Sequence, residues 1–214
     1  MKTARIRTSR LCLASGSPRR QELLESLGLD FVVSPSGIDE TRTCREAPGD
    51  YARRIAKRKA LEVAAHRTDD LIIAADTIVV VDEDILGKPT SLDEARKMLR
   101  ALSGRWHEVL TALCLIAQSS GHTATGLERT QVKFARLTRA EIDWYLSTGE
   151  YADKAGGYAI QGYGSLLIER IEGDYFNVVG LPIRLFYKLA TRLGVDLKEL
   201  VKPREPLTHA VKEA

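Results

Sequence analysis

Leu11-Cys12-Leu13-Ala14, Ser15-Gly16-Ser17 and Pro18-Arg19-Arg20-Gln21-Glu22-Leu23-Leu24-Glu25-Ser26-Leu27-Gly28 read in succession as a buried strand, a tight connection and a helix. Leu23, Leu24 and Leu27 share one helical face, and Gly28 stands where a C-terminal cap is expected. Ser17 suits the N-cap and Pro18 the first helical position. The charge is unusual. A helix N-terminus carries partial positive charge and favours Asp or Glu in its first turn, yet this one carries Arg19 and Arg20. Two cations there lower stability unless an anion sits beside them. Free backbone N–H groups, two guanidinium groups and the hydroxyls of Ser15 and Ser17 together would cradle a phosphate. The plainer alternative is two solvated arginines on a surface helix.

Leu71 to Val81 is a second anomaly. Nine of its eleven residues are apolar and Asp76-Thr77 is the interruption. A β-rich run this apolar predicts a central strand. A carboxylate inside it must be paired, bind a metal or take up a proton. It either serves a site or is a structural aspartate bonded to a nearby loop. Asp82-Glu83-Asp84 predicts a hairpin turn and Ile85-Leu86 the return strand. Lys88, in the constrained Gly87-Lys88-Pro89 loop, could then turn back towards Asp76, although a lone lysine is more often a surface charge.

Other stretches are read the same way. Phe31-Val32-Val33 predicts a short strand, followed by a turn-rich loop carrying Asp39 and Glu40. Pro48-Gly49-Asp50 opens a helix to about His66 with Tyr51, Ile55, Ala56, Ala60 and Val63 inward. Of its basic residues Arg53, Arg54, Lys57, Arg58 and Lys59, one or two at most are expected at a site. Ser91 and Glu94 predict a capping box for a helix to Leu102, with Leu92, Ala95, Met98, Leu99 and Leu102 inward. Arg105–Gln118 and Thr123–Leu137 predict a long hairpin without catalytic features. Thr138 and Glu141 predict a second capping box, opening a helix to Gly149. Between Gly156 and Gly164, four of nine residues are glycine, and Gln161 lies among them. Its amide can donate and accept at once, which suits the edge of a base, although a structural turn fits the loop as well. Ser165–Ile171 and Tyr175–Val179 predict two strands, Pro182–Leu193 the last helix, and the chain from Lys202 a loose tail.

The whole chain sets limits. Its 214 residues are 44% hydrophobic and 29% charged, which suits a soluble globular protein. Lys plus Arg minus Asp plus Glu is 32 − 29 = +3, too mild for nucleic-acid binding by bulk charge. No apolar run reaches membrane-span length, and the run after the basic segment Met1–Arg10 is too short for a signal peptide. Cys12, Cys44 and Cys114 are odd in number without metal-ligand spacing, so a reducing compartment and no zinc site are expected. His66, His107, His122 and His209 are scattered, and no Ser-His-Asp set competes for the chemistry. With no repeat or linker, one domain with a cleft is expected.

Taken together, LASGSPRR, AADTIV, ILGKP, LSGR, DKAGGYAIQG and GDYFNVVGLP resemble the Maf family of nucleoside triphosphate pyrophosphatases, over about residues 11 to 190. The resemblance implies an α/β fold: a mixed elongated β-sheet flanked by helices, with two lobes around a central cleft. It implies residues 11–201 as the catalytic domain, with 1–10 a basic extension and 202–214 a loose tail. It implies cleavage between the α- and β-phosphates of a nucleotide, with Mg²⁺ or Mn²⁺ as cofactor. Asp76 matches the catalytic carboxylate and proton acceptor. Arg19, Thr77 and Gln161 match positions tied to base selectivity. Ser15, Arg20, Glu40, Lys59 and Lys88 match other substrate-cleft positions. Asp76 and Glu40 are the hard oxygen donors for the metal. The ADT pattern matches the branch acting on dTTP and UTP rather than the 7-methyl-GTP branch. A nucleoside triphosphate is the implied partner, in the cytoplasm and away from membranes, and a homodimer is left open. Two other readings stand beside this one: a non-catalytic nucleotide-binding regulator of cell division, and a nucleic-acid binder using the basic helix from Arg53 to Lys59.

Overall fold

The structure, a computed structural model, describes residues 10–42, 46–68 and 70–202. The basic segment 1–9, Cys44, His209 and the tail after Lys202 lie outside them. The opening stretch forms β1 (Arg10–Leu13) and α1 (Pro18–Ser26). Next come β2 (Phe31–Val33), α2 (Pro48–Ala64), β3 (Asp70–Val81) and β4 (Asp84–Leu86). They are followed by α3 (Leu92–Leu102), β5 (Trp106–Ala117), β6 (His122–Phe134) and α4 (Arg139–Ser147). The chain closes with β7 (Ile168–Glu172), α5 (Tyr175–Val179) and α6 (Ile183–Arg192).

The seven strands make one mixed sheet in the order β2-β1-β3-β5-β6-β7, with β4 beside β3. β1 runs parallel to β2 and β3, and the remaining pairings are antiparallel. β3 is central, as its apolar run predicts. One sheet face packs α2 through Ala52, Ala56, Ala60 and Val63 against Cys12, Ile72, Ala74 and Leu110. The opposite face carries two separate cores. One holds Leu23, Leu24, Phe186 and Leu189 from α1 and α6, and the other Leu99, Leu102, Tyr145 and Leu146 from α3 and α4. Burying about 25 cal/mol for each Å² of apolar surface on both faces is what holds these layers together.

The register of β3 creates the cleft. β5 pairs with β3 from Leu71 to Val80. On its other edge, β1 covers β3 only as far as Ile73, and β4 begins at Val79. Residues 75–78 therefore have no strand neighbour on that side. The connection after β1 enters this notch from one end. The chain leaving β4 at Gly87 and Lys88 reaches it from the other, because Leu86 pairs with Val79.

Several local expectations are corrected. Tyr175–Val179 is a helix, not a strand. Asp174 caps it through Phe176 N–H at 2.8 Å. Buried Asn177 donates to Val109 O and Thr130 Oγ1, each at 2.9 Å, and this tertiary anchoring overrides the β propensity of YFNVV. Ser165–Leu167 belongs to a 3-10 turn, Gly162–Leu167, and the strand starts at Ile168. Leu92 is exposed because it lies at the first position of α3, beyond the packed face. The Ser91 box is half formed: Ser91 Oγ accepts from Glu94 N, but the Glu94 carboxylate bonds Thr90. The Thr138–Glu141 box is complete. Val201 bridges Leu29 and Lys202 N–H donates to Gly28 O, so the chain is held up to Lys202.

Candidate active site

Side chains alternate across a strand, so Asp76 faces α2. Its Oδ1 accepts from Lys59 Nζ at 2.9 Å, and the same ammonium stands 2.9 Å from Glu40 Oε1. Asp76 is buried, and its Oδ2 has no hydrogen-bond partner among the described residues. Burial pushes the Asp76 carboxyl above its ordinary range, against the opposing pull of Lys59 and Arg20. Glu40, a second negative charge, adds to the rise. The result is a carboxylate of raised basicity with one buried oxygen left without a partner among the described residues.

The acidic loop bearing Glu40 is strapped to α2. Tyr51 OH donates to Glu40 O at 2.8 Å, Arg54 Nη2 to Thr41 O at 3.3 Å and Arg58 Nη1 to Asp39 O at 3.0 Å. Residues 51, 54 and 58 share one helical face. Arg58 is exposed, as expected for that helix, yet its guanidinium is spent on this loop. Arg54 also grips Glu46 with two bonds, at 2.7 and 2.6 Å.

On the other face, Thr77 meets Arg20. Arg20 Nε donates to Gly180 O at 2.9 Å, Nη1 to Ser15 Oγ at 2.9 Å and Nη2 to Thr77 Oγ1 at 3.1 Å. A guanidinium has five N–H donors, so two stay unengaged among the described residues. Burial lowers the Arg20 pKa, while Asp76 and Glu40 support its charge. Ser15 Oγ also accepts from Ser17 N–H at 3.2 Å, whereas the Ser17 side chain makes no cap bond. Gly180 has φ of 123°, the conformation that presents its carbonyl to Arg20 and that other residues resist. Behind Thr77, Thr111 Oγ1 lies 2.9 Å from Thr77 Oγ1 and donates to Asn177 O at 3.0 Å. Each hydroxyl has one proton. Thr111 spends its own on Asn177, so Thr77 donates to Thr111, and the chain runs Arg20 to Thr77 to Thr111 to Asn177.

The remaining expected residues are more dispersed. Gln161 is half-buried and its amide makes no hydrogen bond among the described residues. Thr77 is engaged with Arg20 and Thr111, and no bond links it to Gln161. Arg19 is half-buried, which lowers its pKa, and Tyr145 and Glu150 are the leading groups supporting its charge. Lys88 is exposed and makes no ion pair among the described residues; the β4 register alone delivers it to the notch. Sequence reasoning passed over Thr111, Asn177, Tyr145 and Glu150. Thr111 had the same signal as Asp76, since it interrupts the apolar run Val109-Leu110-Thr111-Ala112-Leu113.

Two carboxylates suit a divalent cation here. Mg²⁺ is commonly held by one or two carboxylates, completed by substrate phosphates and water. Asp76 supplies an open buried oxygen and Glu40 a half-exposed carboxylate on the same lysine. No cluster of three or more His, Cys, Asp or Glu forms a protein-only cage among the described residues. A cavity of about 620 Å³ lies elsewhere, between the N-terminal end of α2 and residues Val80, Glu108 and Arg129, and contains none of these site residues.

Residues 10–193 match the Maf family model, described as Maf-like protein. A dTTP/UTP pyrophosphatase of Pyrococcus furiosus is 50% identical over 191 residues, covering 89% of this chain and 98% of that one. A protein of the same name from Anaeromyxobacter dehalogenans is 50% identical over 190 residues, covering 88% of this chain and 96% of its own. Another, from Bacillus cereus strain B4264, is 44% identical over 188 residues, covering 88% and 97%.

Proposed function

We propose, from the premise that this chain belongs to the Maf family, that it hydrolyses dTTP and UTP to the monophosphate and pyrophosphate. The observation that carries this reading is the buried, unpartnered Oδ2 of Asp76, on the stretch of β3 that lacks a strand neighbour at one edge, with Lys59, Glu40 and Arg20 around it. The nucleophile is water. Its oxygen bonds to the α-phosphorus as the bond from that phosphorus to the α–β bridging oxygen breaks. Its proton passes to Asp76, whose raised basicity suits a general base. Negative charge builds on the leaving pyrophosphate. The two spare N–H groups of Arg20, together with Lys59 and Lys88, oppose it.

Asp76 and Glu40 would hold Mg²⁺ or Mn²⁺, which when bound adds positive charge beside the phosphates. Lys59 already bridges these two carboxylates and keeps them close before any cation arrives. Arg19 and Gln161 are assigned to the base, and Thr77 contributes by holding Arg20. Every group in this scheme comes from one chain, so a homodimer, if formed, is not needed to complete it. The buried, free Cys114 thiol fits the cytoplasm, and no helix among the described residues is long and apolar enough to cross a membrane. The nucleic-acid reading is weakened because Arg54 and Arg58 are spent on loop carbonyls.

A screen of canonical and modified nucleoside triphosphates, read as phosphate after added pyrophosphatase, tests the proposal. dTTP and UTP should exceed GTP, ATP and CTP. Uracil and thymine present a carbonyl acceptor beside a ring N–H donor, and one primary amide satisfies both. With the amide held in that orientation by the bound base and its surroundings, cytosine leaves a polar group unpaired, which costs roughly 1–3 kcal/mol, or about ten- to a hundredfold in kcat/KM. Gln161→Ala should erode the dTTP-to-CTP ratio more than it slows pyrophosphate release. A preference for GTP, or binding without turnover, would sink the assignment.

A further inference from the structure

Both flanks of Gln161 are tied to one short segment at the end of α4. Ala159 N–H donates to Tyr145 OH at 3.2 Å. On the other side, Tyr163 N–H donates to Glu150 Oε2 at 2.9 Å and Gly164 N–H to Glu150 Oε1 at 3.0 Å. Tyr145 OH in turn donates to Glu150 Oε1 at 3.3 Å, which joins the two ties. Burial and the neighbouring Glu150 carboxylate push the Tyr145 phenol up, so it stays protonated and able to donate. Glu150 itself is steadied from behind, because its N–H donates to Thr148 Oγ1 at 3.2 Å.

The backbone is shaped around this carboxylate. Gly162 has φ of 64°, and a Cβ there would overlap Glu150 Oε2. Gly164 is closed in differently, since a Cβ would run into Ala159 O. Gly162 is thus favoured by its left-handed backbone, and Gly164 is required by the close approach of the loop to itself. Arg19, on the first turn of α1, has Tyr145 and Glu150 as the leading groups supporting its charge.

We infer that Glu150 is a positioning residue for base selection, holding the backbone on both sides of Gln161. This rests on the assignment of Gln161 to the base in the proposed reaction. Glu150 acts through that residue and is not placed on the substrate. Charged acceptors bond N–H groups more strongly than neutral ones. Replacing the carboxylate with an amide also removes one acceptor oxygen and a negative charge. The loop would then sample more than one geometry and present the Gln161 amide to the base in more than one place, which weakens the discrimination between uracil and cytosine.

The test compares wild type, Glu150→Gln, Glu150→Ala and Gln161→Ala with dTTP, UTP and CTP, each variant also followed by thermal unfolding. Glu150→Gln should lower the dTTP-to-CTP ratio of kcat/KM by about five- to twentyfold, mainly through a higher KM for dTTP. Its effect on kcat should be smaller, because Asp76, Lys59 and Glu40 lie on the other face of β3. Glu150→Ala should go further in the same direction. Amide hydrogen exchange at Ala159, Tyr163 and Gly164 should speed up in Glu150→Gln while β3 stays protected. If Gln161→Ala abolishes the preference and Glu150→Gln keeps it, this inference alone falls. If kcat drops equally for all three nucleotides with no change in ratio, Glu150 is only structural and the inference also falls. A wild type without any preference for dTTP and UTP would remove the reading of Gln161 and this inference together.

Discussion

Asp76 and Thr77 are consecutive in β3 yet engage opposite faces of the sheet, Asp76 bonding Lys59 of α2 and Thr77 bonding Arg20 of α1. Strand alternation imposes this division. It separates Asp76, the proposed proton acceptor, from the scaffold that holds Arg20, the arginine proposed to oppose phosphate charge. Where β3 lacks a neighbour on one edge, between the end of β1 and Leu86 of β4, the two faces adjoin.

Asp76→Asn should lose about 10²–10⁴-fold in kcat, the range expected when a positioned general base is removed. An amide has nearly the same shape but does not accept the proton of the attacking water. Substrate binding should change less, since Arg20 and its partners lie on the other face. Steady-state kinetics with dTTP check this, and turnover within a few-fold of wild type contradicts it.

The same variant should be at least as stable as wild type at neutral pH. The folded-state pKa of Asp76 is raised above the ordinary value of 3.8. Between those two values the folded protein binds more protons than the unfolded chain, so stability falls as pH rises through the folded pKa. Above it, the buried charge is a net cost that an amide avoids. Lys59 keeps Glu40 as a partner in the variant. Thermal unfolding with a chelator present should show the advantage of Asn at pH 7 and its disappearance in acid. A variant much less stable than wild type at pH 7 would show that the ion pair outweighs desolvation.

Arg58→Ala should raise the Mg²⁺ concentration needed for half-maximal activity, whereas Lys57→Ala should not. Arg58 holds the Asp39 carbonyl next to Glu40, and Lys57 is an exposed neighbour with no bond of its own among the described residues. One exposed hydrogen bond to a charged donor contributes roughly 1 kcal/mol, so the shift should be about three- to tenfold. A metal titration of activity reads it directly. Equal behaviour of the two variants would show that the strap does not position Glu40.

Thr111→Val should weaken both stability and catalysis. The substitution leaves Thr77 without its acceptor and Asn177 O without its donor inside the sheet. An unsatisfied buried polar group costs about 1–3 kcal/mol. Arg20 would then lose the fixed orientation of Thr77, and KM for dTTP should rise. Thr111→Ser, which keeps the hydroxyl, should restore most of the KM. Chemical denaturation and kinetics on both variants separate the contributions, and an unchanged KM in Thr111→Val would remove Thr111 from the arginine scaffold.

The sequence by itself determined the sheet centre and the residues that violate ordinary placement. An aspartate inside nine apolar residues, and two arginines on the first turn of a helix, are local conflicts. Solvation and dipole arguments detect them without knowing any contact. The strand–turn–helix opening, the two long hairpin strands and most helix ends were legible for the same reason: periodicity and capping act within a few residues. Only the tertiary structure decided how these conflicts are resolved. Lys59 is distinguished from its basic neighbours by facing Asp76, while Tyr51, Arg54 and Arg58 are turned to the Glu40 loop. YFNVV is helical because Asn177 finds partners on β5 and β6, which no window of five residues contains. The notch at residues 75–78 arises from where β1 stops and β4 begins against β3. Strand pairing between distant segments sets it, and such register is a property of the assembled sheet rather than of any local pattern.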